Sequence, residues 1–203
     1  IPYYAGELGR DVVVAYATAP SNARASELLQ GLWTAGLRAY PVFGKLFDTY
    51  EEDVNRLYRR IGKTAAIAQT VSIFRRFQPE VVVTHDVKGE YGHAMHMLCA
   101  DSARKAFDAA ADPKQYRESA KQYGVWSAKK LYLHLWQDGA IRMDWDRPLA
   151  AFGGKTAYEM ALAGFARHFS QQSTPYTAYA DDTPYSCYRF GLAATRVGAD
   201  VLK

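Results

Sequence analysis

Apolar and polar residues fall into blocks whose period changes along the chain. Asp11–Thr18 (DVVVAYAT) is short, apolar and rich in valine, the pattern of a buried strand. Pro20-Ser21-Asn22 supplies a turn with cap candidates, and Ala23–Gly36 then sets Leu28, Leu29, Leu32 and Trp33 on one helical face. Leu37–Phe43 predicts a second, weaker strand. A long helical stretch follows from Glu51 to Phe77, with a break expected near Gly62, and Gln78-Pro79 ends it. Glu80–His85 predicts a third strand and Gly92–Ala111 a helix. Beyond this the pattern is less regular. Pro113–Tyr123 predicts a short helix, Lys129–Trp136 (KKLYLHLW) an alternating strand, Thr156–Phe169 a helix and Tyr185–Thr195 a closing strand, with Met143–Gly154 as a loop. Ile1–Gly9 has the form of a helix tail with a glycine C-cap.

Strands alternating with helices imply right-handed crossovers and a mostly parallel sheet, an α/β fold of Rossmann-like, three-layer type. Ligands of such sheets bind beyond the carboxyl ends of the strands. The segment Thr84–His96 (THDVKGEYGHAMH) is the loop at one of those ends. No repeat or linker divides the 203 residues, so one domain, 1–203, is expected.

Composition narrows the class only modestly. The net charge is +4, from 25 basic and 21 acidic residues. Arg75-Arg76 and Lys129-Lys130 are pairs rather than runs, so no nucleic-acid partner is expected. No apolar run approaches the roughly 20 residues of a membrane span, and a cytoplasmic location is expected. The two cysteines, Cys99 and Cys187, match no zinc-ribbon or redox spacing, and Cys99 fits a helix as a small hydrophobe. Fifteen tyrosines and four tryptophans suit a carbohydrate or polar organic site, and equally an ordinary core.

The chemistry concentrates at the glycine-rich loop. His93 and His96 stand three apart at a helix start, on one face. Two imidazoles so placed suit zinc; they also suit a helix entrance that uses histidine for hydrogen bonding. Gly89 and Gly92 permit backbone turns, and Tyr91 adds a hydroxyl beside the pair. His85, His134 and His168 form no second paired motif, and Asp86 lies on the same loop. A complete set of metal ligands is not evident from the residues alone.

These residues resemble the PIG-L (LmbE-like) zinc-dependent de-N-acetylases. Val82-Val83-Thr84-His85-Asp86 followed by Gly92-His93-Ala94-Met95-His96 is similar to that family's strand-end sequence and its G-H-x-x-H helix start. Arg24-Ala25-Ser26-Glu27-Leu28 is similar to its R-x-x-E-L, and His168-Phe169-Ser170-Gln171 to its H-x-S-Q. The three motifs occur in the family's order. The region from Pro113 to Thr156 carries none. The family's H-P-D-D-E, which supplies two zinc ligands and a general base, is not found in the sequence, and Met95 stands where many relatives carry Asp. Because Ile1–Gly9 resembles the end of the helix after H-P-D-D-E, the expectation is that these residues start beyond the first strand. A strand edge left open in that way would invite insertion of another strand or homo-oligomerisation.

The resemblance implies Zn2+ with His96 as a ligand. The metal would bring the pKa of its water near 7 for attack on an acetamide carbonyl. It implies His93 and Tyr91 as catalytic residues, for the oxyanion or leaving amine and for the carbonyl. Arg24, Asp86 and His168 would bind an N-acetylglucosamine-type sugar or sugar conjugate. Each has a plainer reading: Tyr91 as a surface aromatic, Arg24 as a helix-start charge paired with Glu27, His168 as a structural histidine. Tyr132–Trp136 reads as core, whereas Tyr176, Tyr179 and Tyr185 are candidates for lining a saccharide cleft. The competing function is a non-catalytic fragment or carbohydrate-binding relic. A nucleotide-dependent transferase ranks lower, because neither glycine-rich phosphate motif is present.

Overall fold

The structure is a computed structural model that describes residues 1–137, 139, 141–172 and 187–201. In chain order it forms β1 (Ala15–Thr18), α1 (Asn22–Thr34), β2 (Val42–Leu46), α2 (Val54–Ile61), α3 (Lys63–Phe77), β3 (Val81–Thr84) and α4 (Ala94–Ala109). It continues with α5 (Arg117–Tyr123), β4 (Lys130–His134), β5 (Ile141–Arg142), α6 (Ala157–Phe165) and β6 (Arg189–Thr195). The helix tail at the start is a π-helical turn over Pro2–Glu7. Tyr176, Tyr179 and Tyr185 lie outside the described residues.

Two compact units emerge. One is Ile1–Gly44 with Met143–Ala178; the other is Lys45–Arg142 with Tyr179–Lys203. In the first, Ser21 caps α1 by accepting a hydrogen bond from the Arg24 N–H. Thr156 and Glu159 form a reciprocal capping box at α6. The two helices meet where Gly31 faces Gly164: a Cβ on Gly31 would lie 3.0 Å from the Gly164 carbonyl.

The second unit is built on a four-stranded sheet of order β3-β4-β6-β5. β3 and β4 are parallel, with Thr84 opposite Leu133, while β6 runs antiparallel to both β4 and β5. The α/β class read from the sequence holds, and the sheet is mixed. Ile67, Val71 and Phe74 of α3, Ala100, Ala103, Ala106 and Phe107 of α4, and Leu131 and Leu133 of β4 form one buried cluster. Helical spacing on α3 and α4 and strand alternation on β4 converge on this core, which is why both periods were visible in the sequence. The expected break between α2 and α3 falls at Gly62.

The far end of α4 is fastened by a buried cation. Arg75 of α3 is fully buried and donates to the carbonyls of Ala109, Ala110, Asp112, Gln115 and Tyr116 and to the Ser119 hydroxyl. It fills the role of a C-terminal cap supplied from another helix. α4 is thereby held at one end while its other end carries the histidine pair.

Candidate metal centre

His85 and Asp86 follow the carboxyl end of β3, where the chain must turn towards α4. Gly89, with φ 71°, makes that turn, and a Cβ there would meet the His93 carbonyl oxygen at 2.6 Å. Only glycine fits without displacing backbone. The Asp86 carboxylate, 7% exposed, tightens the loop by accepting from the Lys88 N–H at 3.1 Å. The result brings Glu90 inward beneath the histidines.

Glu90 is the hub. Its Oε1 lies 3.0 Å from His134 Nδ1 and accepts from the Asp86 N–H at 3.0 Å. Its Oε2 lies 2.6 Å from His85 Nδ1 and 3.0 Å from His96 Nδ1. Burial pushes the Glu90 carboxyl pKa up, but the imidazoles of His134, His85 and His96 outweigh it and hold the group well below the usual carboxylate range. Glu90 is therefore a carboxylate.

Ligand atoms of His85, Glu90 and His96 all lie within 4.8 Å of one another. Glu90 Oε2 and His96 Nδ1 are buried and lie 3.0 Å apart, but among the described residues neither has a partner in good hydrogen-bond geometry. The His85 and His96 rings stack at 4.4 Å with planes 4° apart, an arrangement in which two imidazolium charges would repel. A divalent cation satisfies all three groups at once: neutral imidazoles offer lone pairs and the carboxylate offers charge. The residues present thus fit a metal. The His85 side chain is 41% exposed, so the group opens to solvent on one side.

His93 plays a different part. It is the N-cap of α4, and its Nδ1 accepts from the Met95 N–H at 3.1 Å. With that lone pair occupied, the neutral ring carries its proton on Nε2, as a donor. Burial, then the neighbouring His96 and His85, hold its pKa below the ordinary histidine value, with Asp48 opposing. Its ring stacks on His96 at 5.0 Å, and Tyr50 packs edge-on against it at 5.1 Å. Tyr91, in a left-handed conformation with φ 47°, projects its half-exposed ring to 5.2 Å from His96. Cys99, one turn beyond His96, has its thiol pushed up to about 12 by burial and by Glu90; it stays protonated and packs, as expected. Both Cys99 and Cys187 are free.

The other two motifs meet in the first unit. Arg24 Nη1 donates to Glu27 Oε2 at 2.8 Å and to Ser170 Oγ at 3.2 Å, and lies 3.5 Å from His168 Nδ1. Ser170 in turn donates to Glu27 through its N–H at 2.8 Å and its hydroxyl at 2.7 Å. Burial and the Arg24 charge depress the His168 pKa, with Glu27 opposing. Sequence reading missed Glu90 and left His85 and His134 unassigned.

No family model matches the chain. It is 37% identical over 87 residues to a 1D-myo-inositol 2-acetamido-2-deoxy-alpha-D-glucopyranoside deacetylase of Geodermatophilus obscurus, covering 43% of this chain and 29% of that protein. It is 30% identical over 132 residues to a deacetylase of the same name from Frankia casuarinae, covering 61% of this chain and 42% of that protein. It is also 37% identical over 60 residues to a mycothiol S-conjugate amidase of Streptomyces coelicolor, covering 30% and 20%. The chain thus spans about a fifth to two fifths of the length of these relatives. The resemblance drawn from the three motifs is borne out. Among the described residues no helix is long and apolar enough to cross a membrane.

Proposed function

We propose that this chain, a relative of the PIG-L (LmbE-like) deacetylases, carries the metal-binding part of a zinc-dependent amide hydrolase that removes acetyl from an N-acetylglucosamine-type sugar or sugar conjugate. The observation that supports it best is the convergence of His85, Glu90 Oε2 and His96 beside a histidine whose Nε2 is a donor. The two classes of relative, a deacetylase and an amidase, both act on amide bonds by name.

Zinc, when bound, supplies Lewis-acid polarisation and a water that ionises near neutral pH. His96, His85 and Glu90 would hold it. His93, with Nδ1 engaged by the helix, presents Nε2–H to the carbonyl oxygen as a hydrogen-bond donor as negative charge develops there. An oxyanion donor of this kind lowers the barrier by roughly 3–4 kcal/mol. The Tyr91 hydroxyl polarises the same carbonyl. Arg24 and His168, locked to each other through Glu27 and Ser170, belong to the other compact unit. Asp86 is assigned to a sugar hydroxyl through its second carboxylate oxygen.

The test is metal content by mass spectrometry of the purified chain and of His96→Ala, alongside acetate release from an N-acetylglucosaminyl conjugate. Stoichiometric zinc lost in the variant, with acetate release by the parent, supports the assignment. Zinc without acetate release overturns the hydrolase reading for this chain and leaves the metal site standing. Absence of zinc from the parent overturns the metal reading.

A further inference from the structure

Glu90 is held by a residue that no motif reaches. His134 ends β4 and is 2% exposed. β3 and β4 are parallel with Thr84 opposite Leu133, so the next residues, His85 and His134, emerge side by side at the carboxyl end of the sheet. From there His134 Nδ1 reaches Glu90 Oε1 at 3.0 Å, and the Asp86 N–H takes the same oxygen. That oxygen is saturated. The carboxylate is thereby rotated so that Oε2 faces His85 and His96. His134 Nε2 has no hydrogen-bond partner among the described residues, and the Phe190 ring lies 5.4 Å away. A neutral ring with its proton on Nδ1 suits this: it donates to Glu90 and leaves only an acceptor buried.

We propose that His134 is the positioning residue of the metal centre, aiming Glu90 so that Oε2 is a ligand with His85 and His96. The proposal rests on the metal reading above and adds to it a specific demand, a hydrogen-bond donor at the Nδ1 position of residue 134. Without that donor Oε1 is under-satisfied, the carboxylate is free to turn, and one of three ligands is lost from the preorganised set. Removal of such an outer partner typically weakens metal binding by about 10–100-fold.

Asparagine and glutamine separate positioning from bulk. The amide nitrogen of His134→Asn comes close to the place of Nδ1, whereas that of His134→Gln reaches the Nε2 side. Both are polar and buried alike. The chain and these variants, with Glu90→Gln as reference, are stripped with a chelator and titrated with zinc against a chromophoric competitor. Thermal melts of the metal-free forms report folding separately. Zinc should bind the parent at one ion per chain, and His134→Asn within about threefold of it, while His134→Gln weakens by about 10–100-fold and Glu90→Gln by at least as much. The metal-free melts of the Asn and Gln variants should coincide. Equal affinity of His134→Gln and the parent, or of the Asn and Gln variants, overturns the role of His134 and leaves the metal reading standing. Failure of the parent itself to bind zinc overturns both.

Discussion

Arg75→Met is the substitution whose cost the structure fixes best. The five N–H groups of the guanidinium serve six acceptors, five carbonyls and one hydroxyl, so one N–H is shared, and no carboxylate is among them. Charge-assisted bonds of this kind contribute about 1.5–3 kcal/mol each, and six of them would exceed the stability of most domains. They do not all count. The bonds to Tyr116, Ser119, Asp112 and Gln115 are only partly buried, so water replaces arginine there at small cost. The bonds to Ala110 at 3.1 Å and Ala109 at 3.0 Å are buried. At these two carbonyls methionine fills the volume and admits no water, so two bonds are lost outright, and the expected destabilisation is about 3–6 kcal/mol. Arg75→Lys keeps the charge but has three donors for six acceptors, and should lose about half as much. The assay is urea unfolding followed by circular dichroism, with a chelator present so that metal binding does not add to stability. An Arg75→Met chain within about 1 kcal/mol of the parent at equal m-value would refute the argument that this cation caps α4.

Gly31→Ala should destabilise by about 1–3 kcal/mol although alanine is the better helix former, because its Cβ would meet His168 Nε2 at 2.6 Å and the Gly164 carbonyl at 3.0 Å; a raised melting temperature would contradict the close α1–α6 approach. Gly89→Ala places a Cβ 2.6 Å from the His93 carbonyl at φ 71°, so zinc affinity in the competitor titration should fall, and an affinity equal to the parent's would contradict this close approach. For acid stability, hydrogen bonds from Ser170, aided by Arg24, hold the Glu27 carboxyl below its ordinary value. A carboxyl lowered on folding stabilises fully above its unfolded pKa, about 4.3, and the contribution is lost as pH falls through the lower folded value. Below about pH 4 the parent should therefore lose unfolding free energy more steeply than Glu27→Gln, and parallel curves would remove Glu27 from the account.

What was legible in the sequence follows from how far each signal travels along the chain. α4 and the break at Gly62 were read within a residue or two because helical periodicity and a glycine are local. The strand signals were coarser. Of Asp11–Thr18 only Ala15–Thr18 forms the strand, and the second strand begins at Val42, after Pro41, which has no N–H to give a ladder. β5 is two residues long, too short for alternation to register. The site divides in the same manner. His93 and His96 share one helix turn, so their spacing shows them. Arg24, Glu27 and the His168–Ser170 segment were found by motif order, and their meeting is tertiary. Glu90 was overlooked because a carboxylate in a glycine-rich loop reads as solvated. It is buried, with three imidazoles and the Asp86 N–H around it. His134 was overlooked because it continues an alternating core strand. Pairing supplies what alternation does not: once β3 and β4 are set parallel with Thr84 opposite Leu133, the residues just beyond both strand ends are His85 and His134. Two histidines at adjacent carboxyl ends, with an acid in the following loop, are a signal that exists in the sequence only after the sheet register is known. A helix-start pair such as His93 and His96 therefore marks where to look, and the neighbouring strand end shows what completes the site.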